Sequence, residues 1–191
     1  MSGHEESATR MVVVMMVAGL LSGIVLAWVY VVTSPRIAQN HALALNDAAL
    51  SVVVGATRAE RHPESALVHV AYAKDGSVAG LAVQAEGPGF MDTIRLIYGF
   101  VPRTQRIVGL QILDSRETPG LGDKIMTDPD FVGSFHDLSV EPSIVPVTRE
   151  RPSHANEVDC ISGATISSKA VVRILQQSLN AQRAVLGVGA T

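Results

Sequence analysis

Cysteine is almost missing from this sequence. Cys160 stands alone among 191 residues, so no internal disulfide can form, and without a CxxC pair or a Cys/His cluster no zinc, haem or iron–sulfur centre is expected. The lone thiol reads as a small buried hydrophobe without a redox role. The six histidines, His62 and His69 among them, show no HExxH or paired-ligand spacing, so they read as structural and no metal site is expected. Basic residues are scarce too: Lys and Arg total 15 against 18 Asp and Glu, a formal net charge of -3. That leaves no basic face for nucleic acid. A glycine fingerprint for dinucleotides is also lacking, as are internal repeats and low-complexity segments. Any redox chemistry must therefore rest on an organic cofactor.

What is abundant is apolar sequence, 47% of the residues, and its excess is concentrated near the N-terminus. Residues 11–33 (MVVVMMVAGLLSGIVLAWVYVVT) carry no charge, and as a helix they would span about 34 Å, enough for a bilayer core. A cleaved signal peptide is the competing reading. The run exceeds the roughly 7 to 15 residues of a signal core, and no A-x-A site follows it, so a retained anchor is expected. Trp28 and Tyr30 fall near its end, where amphipathic rings favour the membrane interface. Gly19, Gly23 and Ala27 make one small-residue stripe, which serves close helix packing or is ordinary membrane-helix composition. Arg10 and Arg36 balance across the span, so charge leaves the orientation open. The expected layout is a tail at 1–10, a transmembrane helix at 11–33, a juxtamembrane helix and linker at 34–60, and one domain at 61–191.

Residues 35–54 read as a separate helix beginning at Pro35, which suits a first turn. Residues 67–73 and 78–85 flank Asp75-Gly76, a strong hairpin signal. Residues 93–101 and 106–113, rich in β-branched and aromatic side chains, form a second pair around PRTQ. Four antiparallel strands are thus predicted. A short helix is expected over 128–138, with Asp128 as N-cap and Pro129 at its first position. A terminal helix follows over 166–186, where Val171, Ile174, Leu175, Ser178, Gln182 and Val185 share a face. Helices segregated from an antiparallel sheet make the class α+β.

The chemistry-bearing segment is DCISGATISSKAV, residues 159–171. Its small residues Ser162, Gly163, Ala164 and Thr165 directly precede the terminal helix, so a phosphate could approach the free N–H groups and positive dipole end of the first turn. Lys169 would add a charge. Equally, Thr165 or Ser167 could simply cap the helix.

The run from Asp159 to Thr165 resembles the DxxSGAT acceptor motif of the FMN-binding domain family. A second segment, ETPGLGDKI at 117–125, with its preceding strand VGLQILDSR, is similar to the other signature of that family. The likeness spans nearly the whole chain, and is greatest to the G subunits of Rnf electron-transport complexes. It implies that a flavin transferase joins flavin mononucleotide (FMN) through a phosphoester to Thr165, where Ser could replace Thr but Ala or Val could not. Asp159 would hold the loop or help position the hydroxyl and the transferase's metal, or be a solvated loop carboxylate. Gly120 and Gly122 would permit tight turns and close approach of a flat ring, Leu121 would pack on that ring, and Thr118 lies in the same turn. Glu117 and Lys124 would tune the flavin potential or be simple surface charges.

The resemblance further implies an electron carrier within an ion-translocating ferredoxin:NAD oxidoreductase, partnered by other membrane and redox subunits, with its soluble domain on the extracytoplasmic side of the plasma (inner) membrane. The alternatives are the C subunit of the sodium-translocating NADH:quinone reductase, a membrane-anchored flavin-binding sensor or regulator, and a plain binding domain that purifies colourless.

Overall fold

The computed structural model describes residues 2–148 and 153–187. They fall into two compact units, divided between Ala44 and Leu45.

The first unit is helical, part of α1 (Ser2–Ser51). From Arg10 onward this helix is long and apolar enough to cross a membrane, with a mean hydropathy of 2.6 over its most apolar window and none of that window buried in the protein. Met11, Leu20, Leu26, Trp28 and Tyr30 are each more than 60% exposed. Such an all-round apolar surface suits lipid rather than water. Pro35 does not open a new helix; it lies inside α1. The Ser34 hydroxyl donates one turn back to Tyr30 O at 2.7 Å, whereas the missing N–H of Pro35 withdraws the helical donor from Val31 O.

The second unit is built on a six-stranded sheet in sequential order, β1 (Ala56–Arg61), β2 (Val68–Ala73), β3 (Val78–Pro88), β4 (Thr93–Val101), β5 (Arg106–Asp114) and β6 (Leu138–Ser139), every neighbouring pair antiparallel. Both predicted hairpins form. In the first, Gly76 has φ +83° and Asp75 Oδ1 accepts from the Ser77 N–H and hydroxyl. The sheet is thus two strands wider than the four read from the sequence. β1 (ATRAER) is a largely exposed edge strand with little hydrophobic signal, and β6 is too short to leave one.

Helices cover both sheet faces. On one lies α4 (Thr165–Ala181), broken from α5 (Arg183–Leu186) at Gln182. Leu96, Tyr98 and Phe100 alternate along β4 toward this side, as a period of two requires, and join Leu81, Val83, Val171, Ile174 and Leu175 in the main core. Opposite them Ile97 joins Ala48, Ala49, Val52 and Val53, at and just beyond the end of α1, with Ala71 and Ala82. β4 is therefore buried on both faces, which is why it reads as a nearly continuous apolar run.

Along the chain between β5 and α4 come α2 (Lys124–Thr127), α3 (Pro129–Gly133) and a short parallel pair, β7 (Val145–Val147) with β8 (Glu157–Asp159). Asp128 caps α3 as expected, accepting from Phe131 N at 2.9 Å, but the helix stops at Gly133 because Leu138 and Ser139 pair with β5.

Candidate functional site

β8 delivers the chain into a tight turn at 161–164. Ala164 N–H donates to Ile161 O at 3.0 Å, and Gly163 sits at φ +86°, a left-handed conformation that a Cβ would strain. Ser168 locks this turn to the helix: its buried hydroxyl accepts from Ile161 N at 3.2 Å and donates to Ala164 O at 3.0 Å. The helix start therefore differs from a capped one. Ala164 occupies the cap position and no side chain caps the first turn. Thr165, the first helical residue, is half-buried, and its hydroxyl reaches Ile161 O only at 3.4 Å. Neither Thr165 nor Ser167 acts as the cap, so the first-turn N–H groups and the positive end of the helix dipole stay available to an anion.

The segment after β5 arrives beside this turn. Leu121 N–H and Asp123 N–H both donate to Thr118 O, at 3.1 and 3.4 Å, and Gly120 supplies the positive φ of +76° that the turn needs. Gly122 is required for space instead: a Cβ there would lie 2.8 Å from Ser167 Oγ and 2.9 Å from Glu117 Oε2.

Glu117 ties these pieces together. It is only 4% exposed, so it is neither a surface charge nor free to face solvent. Its Oε1 accepts from Phe90 N at 2.9 Å and Met91 N at 3.0 Å, and its Oε2 accepts from the Ser167 hydroxyl at 2.5 Å. Burial alone pushes this carboxyl up, but the bonds from Ser167, Met91, Phe90 and Asp92 outweigh it and hold the group below the usual carboxylate range. A fixed negative charge thus lies at the junction of three chain segments.

The result is a cleft of about 320 Å³, walled by Glu117, Thr118, Leu121 and Gly122 on one side, by Gly163 to Ser167 on the other, and by Phe90. Leu121, Ile166 and Phe90 are 52%, 59% and 60% exposed. Asp159, Ser162 and Lys124 line a neighbouring, more polar depression with Asp128 and Asp130. Gly120 lines neither. Cys160 is buried and free, and burial raises its thiol above the ordinary value, with Lys169 opposing and Asp159 adding to the effect. Among the described residues no cluster of His, Cys, Asp and Glu is placed to hold a metal.

Sequence reasoning missed Phe90, Ser167 and Ser168 as parts of the site. The adjacent serines in the first turn of the terminal helix carried a signal, since hydroxyls that become buried need partners. Phe90 carried none until its turn was placed.

The FMN-binding domain family matches residues 89–180, a range that contains every lining residue of the cleft. The chain is 30% identical over 189 residues, 94% of its length and 96% of the relative's, to the G subunit of the ion-translocating oxidoreductase complex of Methanosarcina acetivorans. It is 29% identical over 159 residues, 83% of each chain, to the G subunit of the proton-translocating ferredoxin:NAD(+) oxidoreductase complex of Clostridium ljungdahlii. The solved structure of Shewanella oneidensis NqrC shares the fold, with a TM-score of 0.55 at 18% identity over 72% of this chain and 74% of that one. Likeness over almost the full length of both partners, with the two signature segments meeting at one cleft, places this chain in the family of G subunits of ion-translocating oxidoreductase complexes.

Proposed function

We propose that this chain is the membrane-anchored flavoprotein subunit that relays electrons within an Rnf-type ion-translocating ferredoxin:NAD oxidoreductase complex, with FMN attached through its phosphate to Thr165. The observation that carries this reading is the convergence of the 117–122 and 163–167 segments on one cleft with a hydroxyl and an uncapped helix start in its wall. The cleft's size falls at the lower end of ligand sites, roughly 300 to 1,000 Å³, and its lining suits FMN. Leu121, Ile166 and Phe90 offer apolar surface to a flat ring, while the first turn of α4 offers N–H groups and dipole to a phosphate.

FMN, when bound, supplies the redox chemistry; the chain supplies attachment, orientation and electrostatics. Thr165 Oγ1 would give up its proton and displace a leaving group from the phosphorus of an activated flavin donor, the new P–O bond replacing the one to that group, so that the chain gains on balance the mass of one FMN less water. Gly163 and Ala164 keep side-chain bulk away from that oxygen. Glu117 holds a constant negative charge near the ring site at neutral pH. A covalent link keeps the cofactor from diffusing away outside the cytoplasm, where the domain is placed by this reading and where a flavin transferase would act on it. Other membrane and redox subunits provide the electron donor and acceptor.

Intact-mass measurement after co-production with a flavin transferase tests the attachment. The expected product carries one FMN less water on the peptide containing Thr165, Thr165→Ser keeps some of it, and Thr165→Ala has none. Covalent flavin on the Thr165→Ala protein rejects the assignment. A reporter fused to the C-terminus tests the placement, and activity confined to the cytoplasm overturns it.

A further inference from the structure

Four phenylalanines occur in the chain. Phe100, Phe131 and Phe135 are at most 2% exposed, whereas Phe90 is 60% exposed. An exposed aromatic ring forgoes roughly 1.5 to 3 kcal/mol of burial, and it commonly sits at a turn whose backbone is loosely held. The turn that carries Phe90 is held from three directions. Gly89 N–H donates to Asp92 O at 2.8 Å, the Arg173 guanidinium on α4 donates to Pro88 O at 2.6 Å, and the buried Glu117 carboxylate accepts from both Phe90 N and Met91 N. The fit leaves no room for a side chain at the preceding residue, since a Cβ on Gly89 would lie 2.4 Å from Glu117 Oε1 and 2.7 Å from Asp92 O.

The same carboxylate that fixes the Phe90 backbone also receives the Ser167 hydroxyl, and Ser167 stands two residues after Thr165 on the same helix. One buried group therefore sets the separation between the Phe90 turn and the hydroxyl that the reading above assigns to attachment. Phe90 itself lines the cleft with Thr165.

From this geometry we propose that Phe90 covers one face of the flavin ring, and that Glu117 is the positioning residue that holds it there. The inference rests on the flavin reading and adds to it the source of the stacking contact. An aromatic side chain pinned beside a flat π-system takes an offset-stacked or edge-on arrangement, and a rigid backbone makes that arrangement reproducible without ordering cost when the ligand arrives.

The test uses the full chain co-produced with a flavin transferase, with covalent flavin per chain measured by mass and absorbance. A wild-type chain without covalent flavin overturns both the reading and the inference. With attachment present, Phe90→Trp is expected to lose flavin fluorescence several-fold per flavin bound, because an indole in contact with the ring quenches it. Met91→Trp, one residue on and outside the cleft wall, is expected to quench less. In the Phe90→Trp background Glu117→Ala should restore fluorescence, whereas Glu117→Gln, whose amide oxygen still accepts the two N–H groups, should stay quenched. Equal fluorescence of Phe90→Trp and wild type at equal flavin content overturns the stacking role and leaves attachment standing. Quenching that survives Glu117→Ala overturns the positioning role alone.

Discussion

On the side of the sheet that faces α4, Leu81, Val83, Leu96, Tyr98 and Phe100 fill the space with large side chains. On the other side Val52 and Val53, just past the end of α1, rest on Gly80, Gly99 and Gly109, with Ala48, Ala49, Ala71 and Ala82 around them. A Cβ on Gly99 would lie 2.0 Å from the Val52 carbonyl oxygen, and one on Gly109 2.7 Å from the same atom. The α4 side has a close glycine as well, Gly87, but there the Cβ would meet the Ile174 side chain. One face is packed by side chains that can adjust by rotamer, the other by backbone against backbone. The two faces should therefore respond to opposite changes, truncation on one and enlargement on the other.

Four substitutions test that contrast, each measured as denaturant unfolding of the detergent-solubilised full chain. Phe100→Ala empties a fully buried site and should cost about 3 to 5 kcal/mol. Gly99→Ala adds one methyl against an immovable carbonyl and should cost about 3 kcal/mol, the upper end of overpacking. A tolerated Gly99→Ala would break the comparison, because the close approach would then be adjustable after all.

The third change addresses the polar anchoring of the α4 side. Glu117→Gln weakens charge-assisted bonds to a buried group and should cost about 1.5 to 3 kcal/mol at neutral pH. Its sign with pH follows from the depressed folded-state value: the carboxylate contributes fully above its unfolded pKa, and the contribution is lost as pH falls through the lower folded value. The stability gap between wild type and Glu117→Gln should therefore be flat near neutrality and shrink below the ordinary value of 4.5. A gap that widens in acid would contradict the assignment. The smallest effect is expected from Tyr98→Phe, which removes the 3.1 Å bond between the buried Tyr98 hydroxyl and Ser178 and should cost about 1 kcal/mol. A Tyr98→Phe cost matching Phe100→Ala would mean that this hydroxyl, rather than ring packing, secures α4.

Local signals were sufficient wherever a property depends on residues close in the chain. The uncharged run at 11–33, the Asp75-Gly76 turn, the Asp128 cap and the β-branched and aromatic richness of residues 93–101 could all be read directly, because hydropathy, turn chemistry and strand propensity act over a few positions. The small residues at 162–165 ahead of a helix were equally plain, although Thr165 as a first helical residue beside an uncapped turn, rather than as the cap, was not. Pro35 inside α1 and the exposed β1 edge ran against propensity and were decided by the helix and sheet they extend. Glu117 is the clearest case of what only the tertiary structure decided. In sequence it is one more acid after a strand; its partners Met91, Phe90 and Ser167 lie 26, 27 and 50 residues away, and only their convergence removes the carboxylate from water and fixes its charge. The same long-range closure placed Phe90 at the cleft and left Gly122 no room for a side chain, since burial and close approach arise from the meeting of distant segments and leave no periodic trace in any one of them.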